Sequence, residues 1–168
     1  PLYSSAASDV YKRQTEDPST IFPSLFNGSS AWGDYDNDGD PDLIISGQTA
    51  SSASSVTRFF MNEPTGRLIE DTNQDLAGLK AGSFKFADLD QDGDQDLIMS
   101  GWNILASSNI TKIYKNEPLG TFTEIETGIN FSVSYGTIEV SDFDLDGDLD
   151  IVISGADSVT NFAMDVHS

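Results

Sequence analysis

One acidic nine-residue segment occurs three times in the chain at constant spacing, and it constrains the fold more than any other feature. The copies begin at Asp34, Asp88 and Asp142, so each lies 54 residues after the one before. Every copy holds five aspartates and has glycine at its sixth position. Neither a packed core nor an ordinary solvated face requires so many carboxylates. The segment therefore indicates a repeated architecture and a site for a hard cation, which prefers oxygen ligands.

Sequence typical of β-strands flanks every copy. The three residues that start four positions before each copy alternate between side chains suited to burial and side chains suited to water. Directly after each copy, a run of three apolar residues precedes a Ser-Gly pair, at 43–45, 97–99 and 151–153. Short apolar runs bounded by turn residues are typical of strands that are buried on both faces. Each acidic segment is therefore predicted to connect two strands.

A second repeated motif predicts two further strands in each unit. Asn62-Glu-Pro-Thr-Gly66 corresponds to Asn116-Glu-Pro-Leu-Gly120, and such sequences are typical of hairpin turns. The serine-rich stretch 50–55 and its counterpart 106–109 are predicted to be exposed loops between the second and third strands. Each unit of 54 residues thus contains four predicted strands, and no helical periodicity of useful length is present.

Four-stranded units at this period predict an all-β fold, a β-propeller fragment of about two and a half to three four-stranded antiparallel blades. We expect a blade end at 15–27, blades at 28–81 and 82–135, and a partial blade at 136–168. Residues 1–14 match no part of the repeat and resemble translated sequencing adaptor. We interpret them as a non-native segment, with a natural extension as the alternative.

Composition narrows the classes of partner. The chain of 168 residues has 28 acidic and 8 basic side chains, and its formal net charge is −20. A nucleic-acid partner is disfavoured because phosphate binding needs a basic patch. The absence of cysteine excludes disulfides and thiolate metal sites. No stretch approaches the roughly 20 apolar residues of a membrane span, and no secretory signal is visible.

The spacing of the aspartates predicts one calcium site in each copy. We name the copies the first (34–42), second (88–96) and third (142–150) acidic loops. Carboxylates at positions 1, 3, 5 and 9 and the backbone carbonyl at position 7 would surround the ion, while glycine at position 6 permits the sharp turn. Zinc would require His or Cys, and magnesium demands a stricter octahedron. The predicted ligand residues are Asp34, Asp36, Asp38, Asp40 and Asp42; Asp88, Asp90, Asp92, Asp94 and Asp96; and Asp142, Asp144, Asp146, Asp148 and Asp150.

A functional calcium site has three alternatives. An EF-hand would need a glutamate at position 12 and flanking helices, but Ile45, Met99 and Ile153 stand there within strand-like runs. A solvated acidic turn that binds nothing does not account for three copies of one ligand pattern. Purely architectural calcium is the favoured alternative, because the clustered carboxylates would repel one another strongly without a cation.

The segment from Ala31 to Gly47, Ala-Trp-Gly-Asp-Tyr-Asp-Asn-Asp-Gly-Asp-Pro-Asp-Leu-Ile-Ile-Ser-Gly, resembles the FG-GAP/VCBS repeat. That repeat is the blade unit of integrin-α-like propellers and of many secreted bacterial proteins. The resemblance extends over about residues 15–168. It implies that the acidic loop is a calcium-binding hairpin between the first two strands of a blade, and that the protein is extracellular or on the cell surface. The Phe-Gly and Gly-Ala-Pro signatures of the integrin version are absent, which favours the bacterial branch.

The sequence contains no catalytic constellation, so we expect a non-enzymatic protein. The one histidine, His167, is the penultimate residue of the sequence, so we expect no base for a Ser-His-Asp or Cys-His arrangement. The aromatic residues are predicted to serve mainly in blade packing: Trp32, Phe84, Phe86, Tyr114 and Phe122. Trp102 could instead stack on a sugar.

We expect a role in adhesion or in recognition of an extracellular protein or carbohydrate. An accessory propeller of a secreted enzyme, whose catalytic domain lies outside this sequence, is the alternative. A propeller that is itself catalytic through its inter-blade loops is a weaker third.

Overall fold

The structure is a computed structural model that describes residues 21–50, 54–118, 120–126, 128, 131–157 and, for the backbone alone, 162–167. The predicted non-native segment 1–14 lies outside the described residues. The described residues form eleven strands and no helix, which confirms the all-β prediction. None of them forms a helix long and apolar enough to cross a membrane.

The strands are arranged in three antiparallel sheets, and sequential strands are neighbours in each. The first sheet contains β1 (Leu25–Gly33), β2 (Asp42–Thr49), β3 (Ser55–Asn62) and β4 (Leu68–Asp71). The second contains β5 (Lys80–Ala87), β6 (Asp96–Asn103), β7 (Ser108–Glu117) and β8 (Thr121–Ile125). The third contains β9 (Ser134–Ser141), β10 (Asp150–Ala156) and β11 (Phe162–His167). Two successive four-stranded meanders and the start of a third confirm the predicted blade-like units.

The apolar runs after the acidic loops are the most buried strands, as their composition predicts. Alternate side chains of a strand point to opposite faces of its sheet, so a run of three apolar residues supplies both faces. In β6, Leu97 and Met99 contribute to one core cluster and Ile98 to another, and all three are fully buried. The second sheet is therefore covered on both faces.

The core lies between the sheets. The first cluster joins the first and second sheets and is rich in aromatic rings: it contains Tyr35, Ile44, Phe59, Leu79, Phe84, Leu97, Met99, Tyr114 and Phe122. The second cluster joins the second and third sheets and is aliphatic: it contains Ile98, Ile113, Val133, Ile138, Ile151 and Ile153. Packing of one sheet on the next thus occurs twice, through equivalent positions of the repeat.

The structure corrects two details of the sequence interpretation. Strand β3 begins at Ser55, and strand β7 begins at Ser108 and includes Asn109. The loops in the two serine-rich stretches are therefore shorter than predicted. Tertiary hydrogen bonds hold these polar side chains: Ser55 Oγ donates to the Gly78 carbonyl at 2.7 Å, and Asn109 Nδ2 to the Ala156 carbonyl at 3.0 Å. Trp32, predicted to pack between blades, is 58% exposed because it lies on the face of the first sheet away from the second.

Candidate metal centres

Each acidic loop is the hairpin connection between the first and second strands of its sheet. Pairing of the two strands begins at the ninth residue of the loop: Asp42 pairs with Gly33, Asp96 with Ala87 and Asp150 with Ser141. The loops therefore occupy the same place in all three sheets, as the resemblance implies.

The backbone of each loop curls through two left-handed residues. The glycine at position 6 has a φ of 94°, 97° and 101° in the three loops, which confirms the reason given for glycine there. Position 4 is also left-handed, with φ near 60° at Asn37, Gln91 and Leu145. Because non-glycine residues adopt this conformation rarely, its recurrence shows that the tight curl is a property of the loop and not of one residue.

Hydrogen bonds within the loops repeat in the same way. The first aspartate accepts from the glycine N–H at 3.1, 3.0 and 3.2 Å in the three loops. The fifth aspartate accepts from the N–H of position 7 at 2.9, 3.0 and 2.9 Å. Carboxylates that accept local backbone N–H groups replace the ladder bonds that a turn lacks. They also turn the side chains of positions 1 and 5 toward the inside of the curl.

The ninth aspartate of each loop is buried. Asp42, Asp96 and Asp150 are 1%, 3% and 5% exposed. In the first loop, Asp42 accepts from the N–H groups of Tyr35 at 3.1 Å and Asn62 at 2.8 Å. Asp96 accepts from Leu89 and Asn116 in the same way, and Asp150 from Phe143 at 2.7 Å. This residue therefore ties the loop to the third strand of its sheet in the first two units.

Burial has an electrostatic consequence for these carboxyls. It raises the pKa of Asp42 to about 6, although the two N–H donors oppose the shift. It also raises the pKa of Asp96, against donors at the equivalent positions. A buried carboxylate is costly when ionised, and a nearby cation favours the ionised form. The buried position is therefore one at which a cation would relieve an electrostatic penalty.

The aspartates of each loop converge on one point. One oxygen from each of three carboxylates lies within 4.8 Å of the other two, in the groups Asp34, Asp36 and Asp42; Asp88, Asp90 and Asp92; and Asp142, Asp144 and Asp146. The first group includes position 9 in place of position 5. The remaining predicted ligand residues are Asp38, Asp40, Asp94, Asp96, Asp148 and Asp150, which lie in the same loops. Their role as ligands stays a prediction.

Two carboxylate oxygens in these clusters lack a partner among the described residues. Asp34 Oδ1 and Asp142 Oδ1 are buried and accept no hydrogen bond there. A buried oxygen in this state costs free energy, and a charged one costs more. A hard cation placed among the converging carboxylates would coordinate such an oxygen, so the residues present fit an oxygen-seeking divalent ion.

Adjacent loops also contact each other. Asn37 Nδ2 donates to Asp94 Oδ1 of the second loop. Gln91 Nε2 donates to the Gly147 carbonyl at 2.8 Å and to Asp148 Oδ1 at 3.3 Å in the third loop. Position 4 of one loop thus contacts the loop of the next sheet, and the three acidic loops lie side by side.

Within the part of the chain that the structure describes, the second loop differs from the others because a lysine lies against it. Lys115 Nζ contacts Asp90 Oδ2 and lies 3.1 Å from Asp92 Oδ2. Hydrogen bonds to these two carboxylates raise the pKa of Lys115. The pKa of Asp92 is lowered, first by the Asp94 N–H and then by Lys115. Sequence reasoning missed this residue. A comparison of the repeats could have drawn attention to it, because the equivalent residue 54 positions earlier is the uncharged Met61.

The fold and the loops together define a class of protein. Successive four-stranded antiparallel sheets are characteristic of blade-type β repeats, and in this chain an acidic hairpin joins the first two strands of each sheet. Residues 34–99 match the family model of the FG-GAP-like repeat. The match confirms the predicted resemblance to the FG-GAP repeat over that segment, which contains the first and second acidic loops. No curated protein matches the chain significantly.

Proposed function

We propose that the chain is a non-catalytic, calcium-binding β-propeller segment of an extracellular or cell-surface protein that serves adhesion or recognition of a protein or carbohydrate. Each acidic loop holds one ion. The observation that carries the proposal is the convergence of carboxylates on a point where buried oxygens of Asp34 and Asp142 accept no hydrogen bond among the described residues. FG-GAP repeats are typical of extracellular proteins, where calcium is abundant, and this supports the location.

The ion would serve chiefly to hold the loops. Calcium accepts six to eight oxygen ligands in flexible geometry, which suits a loop whose backbone is already curled by its own hydrogen bonds. The carboxylates of positions 1, 3 and 5 would bind it directly. The buried ninth aspartate would transmit the ordered state to the sheet, because it accepts N–H groups from the loop and, in the first two units, from the third strand.

Replacing two aspartates of one loop tests the proposal. We expect Asp88→Asn with Asp92→Asn to reduce the number of calcium ions bound per chain from three to two, because the second loop loses two of its three converging carboxylates. Calorimetric titration of the metal-free chain measures this number.

The matched control for this experiment removes two exposed acids elsewhere. Asp75→Asn with Glu126→Gln changes the net charge equally, and both residues lie outside the acidic loops. This control should still bind three ions. Equal loss of binding in both double variants would show that calcium responds only to overall charge, and the proposed sites would be wrong.

The lysine that lies against the second loop, Lys115, allows a separate prediction. We expect Lys115→Met to raise the calcium affinity of that loop by roughly 5-fold, since the exposed ammonium competes with the ion for the carboxylates of Asp90 and Asp92 and a surface ion pair is weak. The reverse change, Met61→Lys, should weaken the first loop. Competition with a chromophoric chelator measures both affinities.

A lysine that contacts no aspartate of a loop provides the control. Lys112 pairs with Glu124 on the neighbouring strand, so Lys112→Met alters the net charge by the same amount. If Lys112→Met and Lys115→Met raised calcium affinity equally, direct competition between the Lys115 ammonium and the ion would be refuted.

A further inference from the structure

A buried asparagine joins the backbones of the first and second acidic loops. Asn116 begins the Asn-Glu-Pro turn motif of the second sheet and is 1% exposed. Its Nδ2 donates to the Tyr35 carbonyl of the first loop at 2.7 Å and to the Gln95 carbonyl of the second loop at 3.2 Å. The equivalent asparagine of the first sheet, Asn62, makes the corresponding bond to the loop of its own sheet, at the Pro41 carbonyl. The bond to Tyr35 is therefore an additional link between two sheets.

Gln95, at position 8 of the second loop, makes a second link. Its side-chain Oε1 accepts a hydrogen bond from the Asp34 N–H of the first loop at 3.1 Å. Asp34 is one of the three converging carboxylates of that loop, and its Oδ1 is buried without a partner among the described residues. The backbone of a proposed calcium ligand in one loop is thus held by a side chain of the next loop.

A comparison of the repeats shows that this second link is specific to one pair of loops. Position 8 is Pro41 in the first loop and Leu149 in the third. Neither side chain can accept a hydrogen bond, so the third loop cannot hold the Asp88 N–H of the second in this way. The hairpins of the first and third sheets form without glutamine at position 8. The hairpin therefore does not require Gln95, and its hydrogen bond points to a role between the loops.

These contacts connect the order of one loop with that of the other. A calcium ion in the second loop would fix the conformation of residues 88–96, including both oxygens of Gln95 that take part in the links. The backbone at Asp34 and Tyr35 would then be held before the first loop binds its own ion. Ordering a residue costs conformational entropy, so an ion that enters a loop already held in this way binds more tightly.

We propose that calcium binding at the first and second acidic loops is positively cooperative, and that Gln95 and Asn116 are the positioning residues that couple the two sites. This inference rests on the proposed function, because it requires an ion in each loop. Coupling of binding is reciprocal, so each ion raises the affinity for the other by the same factor. Electrostatic repulsion between the ions acts in the opposite direction, and physiological salt screens it over about 8 Å.

Site-resolved titration of the full chain with calcium, followed by NMR at physiological salt, tests the coupling. The N–H groups of Gly39 and Gly93 donate to the first aspartate of their loops, so their resonances report calcium binding at each loop separately. We expect Asp88→Asn with Asp92→Asn to raise the dissociation constant measured at Gly39 by roughly 5-fold or more, the lower end of typical coupling factors. The residues of the first loop are unchanged in this variant.

The charge of the second loop is matched in this comparison. Removing two carboxylates changes its formal charge by as much as binding one calcium ion does. The empty variant loop and the filled wild-type loop therefore have the same long-range electrostatic effect on the first loop. What differs between them is the order that a bound ion gives to the second loop.

Substitution of Gln95 shows whether this residue carries the coupling. Gln95→Leu introduces the residue type that the third loop has at this position. In this background, disabling the second loop should raise the dissociation constant at Gly39 by a factor at least about twofold smaller than in wild type, because the bond to Asp34 is lost while that of Asn116 remains. Gln95→Glu keeps an acceptor oxygen and should retain the wild-type factor. Adding Asn116→Ala to Gln95→Leu should bring the factor close to one, and circular dichroism checks that the sheets of each variant are retained.

Three outcomes would overturn the inference. An unchanged or lower dissociation constant at Gly39 after the second loop is disabled would exclude positive coupling, while calcium binding at Gly39 itself would leave the proposed function standing. An equal factor in the wild type and in Gln95→Leu would show that the coupling does not pass through Gln95. If no loop glycine responds to calcium in the wild-type chain, the proposed function fails and the inference fails with it.

Discussion

Calcium is expected to raise the melting temperature of the metal-free chain by roughly 15–30 °C. At about 100 times its dissociation constant, an ion that binds only the folded state stabilises it by about 2.7 kcal/mol, and three occupied loops give about 8 kcal/mol. For a domain of this size, each 1 kcal/mol shifts the melting temperature by about 2–4 °C. The physical source is the repulsion among converging carboxylates, which the ion removes. Thermal melts with calcium and with excess chelator measure the shift.

Magnesium provides the control for this measurement. It prefers strict octahedral geometry and retains its waters, so at equal concentration it should raise the melting temperature much less than calcium. Sodium chloride at matched ionic strength accounts for general screening. A melting temperature that ignores calcium, with no heat of binding, would refute the assignment of the acidic loops as calcium sites.

Phe59→Ala is expected to destabilise the fold by about 3–5 kcal/mol, the range for truncating a buried phenylalanine. Phe59 is 1% exposed and lies at the junction of the first two sheets. Its ring stacks on Phe122 at 5.2 Å between centroids, tilts against Tyr35 at 4.8 Å and meets Phe86 edge-on at 6.0 Å. Removing it leaves a cavity among rigid rings that cannot collapse to fill it. Urea unfolding at fixed calcium concentration measures the free energy of unfolding.

Phe26→Ala is the matched control, since this phenylalanine is 60% exposed on the first strand of the same sheet. It should change the free energy of unfolding by no more than about 0.5 kcal/mol. Similar losses for the two variants would mean that the aromatic cluster around Phe59 does not hold the first two sheets together.

The local features of the fold were predictable because the sequence repeats them. The 54-residue period located the strands, and glycine at position 6 of each loop predicted the observed left-handed turn. The same argument predicted four strands per unit from the Asn-Glu-Pro turn. These features depend on residues close together in the chain, so a single sequence records them.

Features that depend on contacts between sheets were not predictable in this way. Trp32 occupies a packing position of the repeat, yet its exposure depends on whether another sheet covers it. Lys115 lies 25 residues after Asp90, and only the pairing of β6 with β7 brings the two together. The spacing predicts the aspartate at position 9 of each loop only as a metal ligand. In the structure, Asp42 and Asp96 also accept hydrogen bonds from N–H groups of the third strand of their sheets.

The side-by-side arrangement of the acidic loops makes the charge distribution of the molecule strongly asymmetric. Fifteen of its 28 acidic side chains lie in three hairpins that contact one another, so one edge is a concentrated negative pole. Near an anionic surface, within the roughly 8 Å over which physiological salt leaves charges unscreened, that edge is repelled and the opposite edge faces the surface. Three divalent ions would cancel about six of those fifteen charges. The concentration of free calcium would then set the strength of this orienting force.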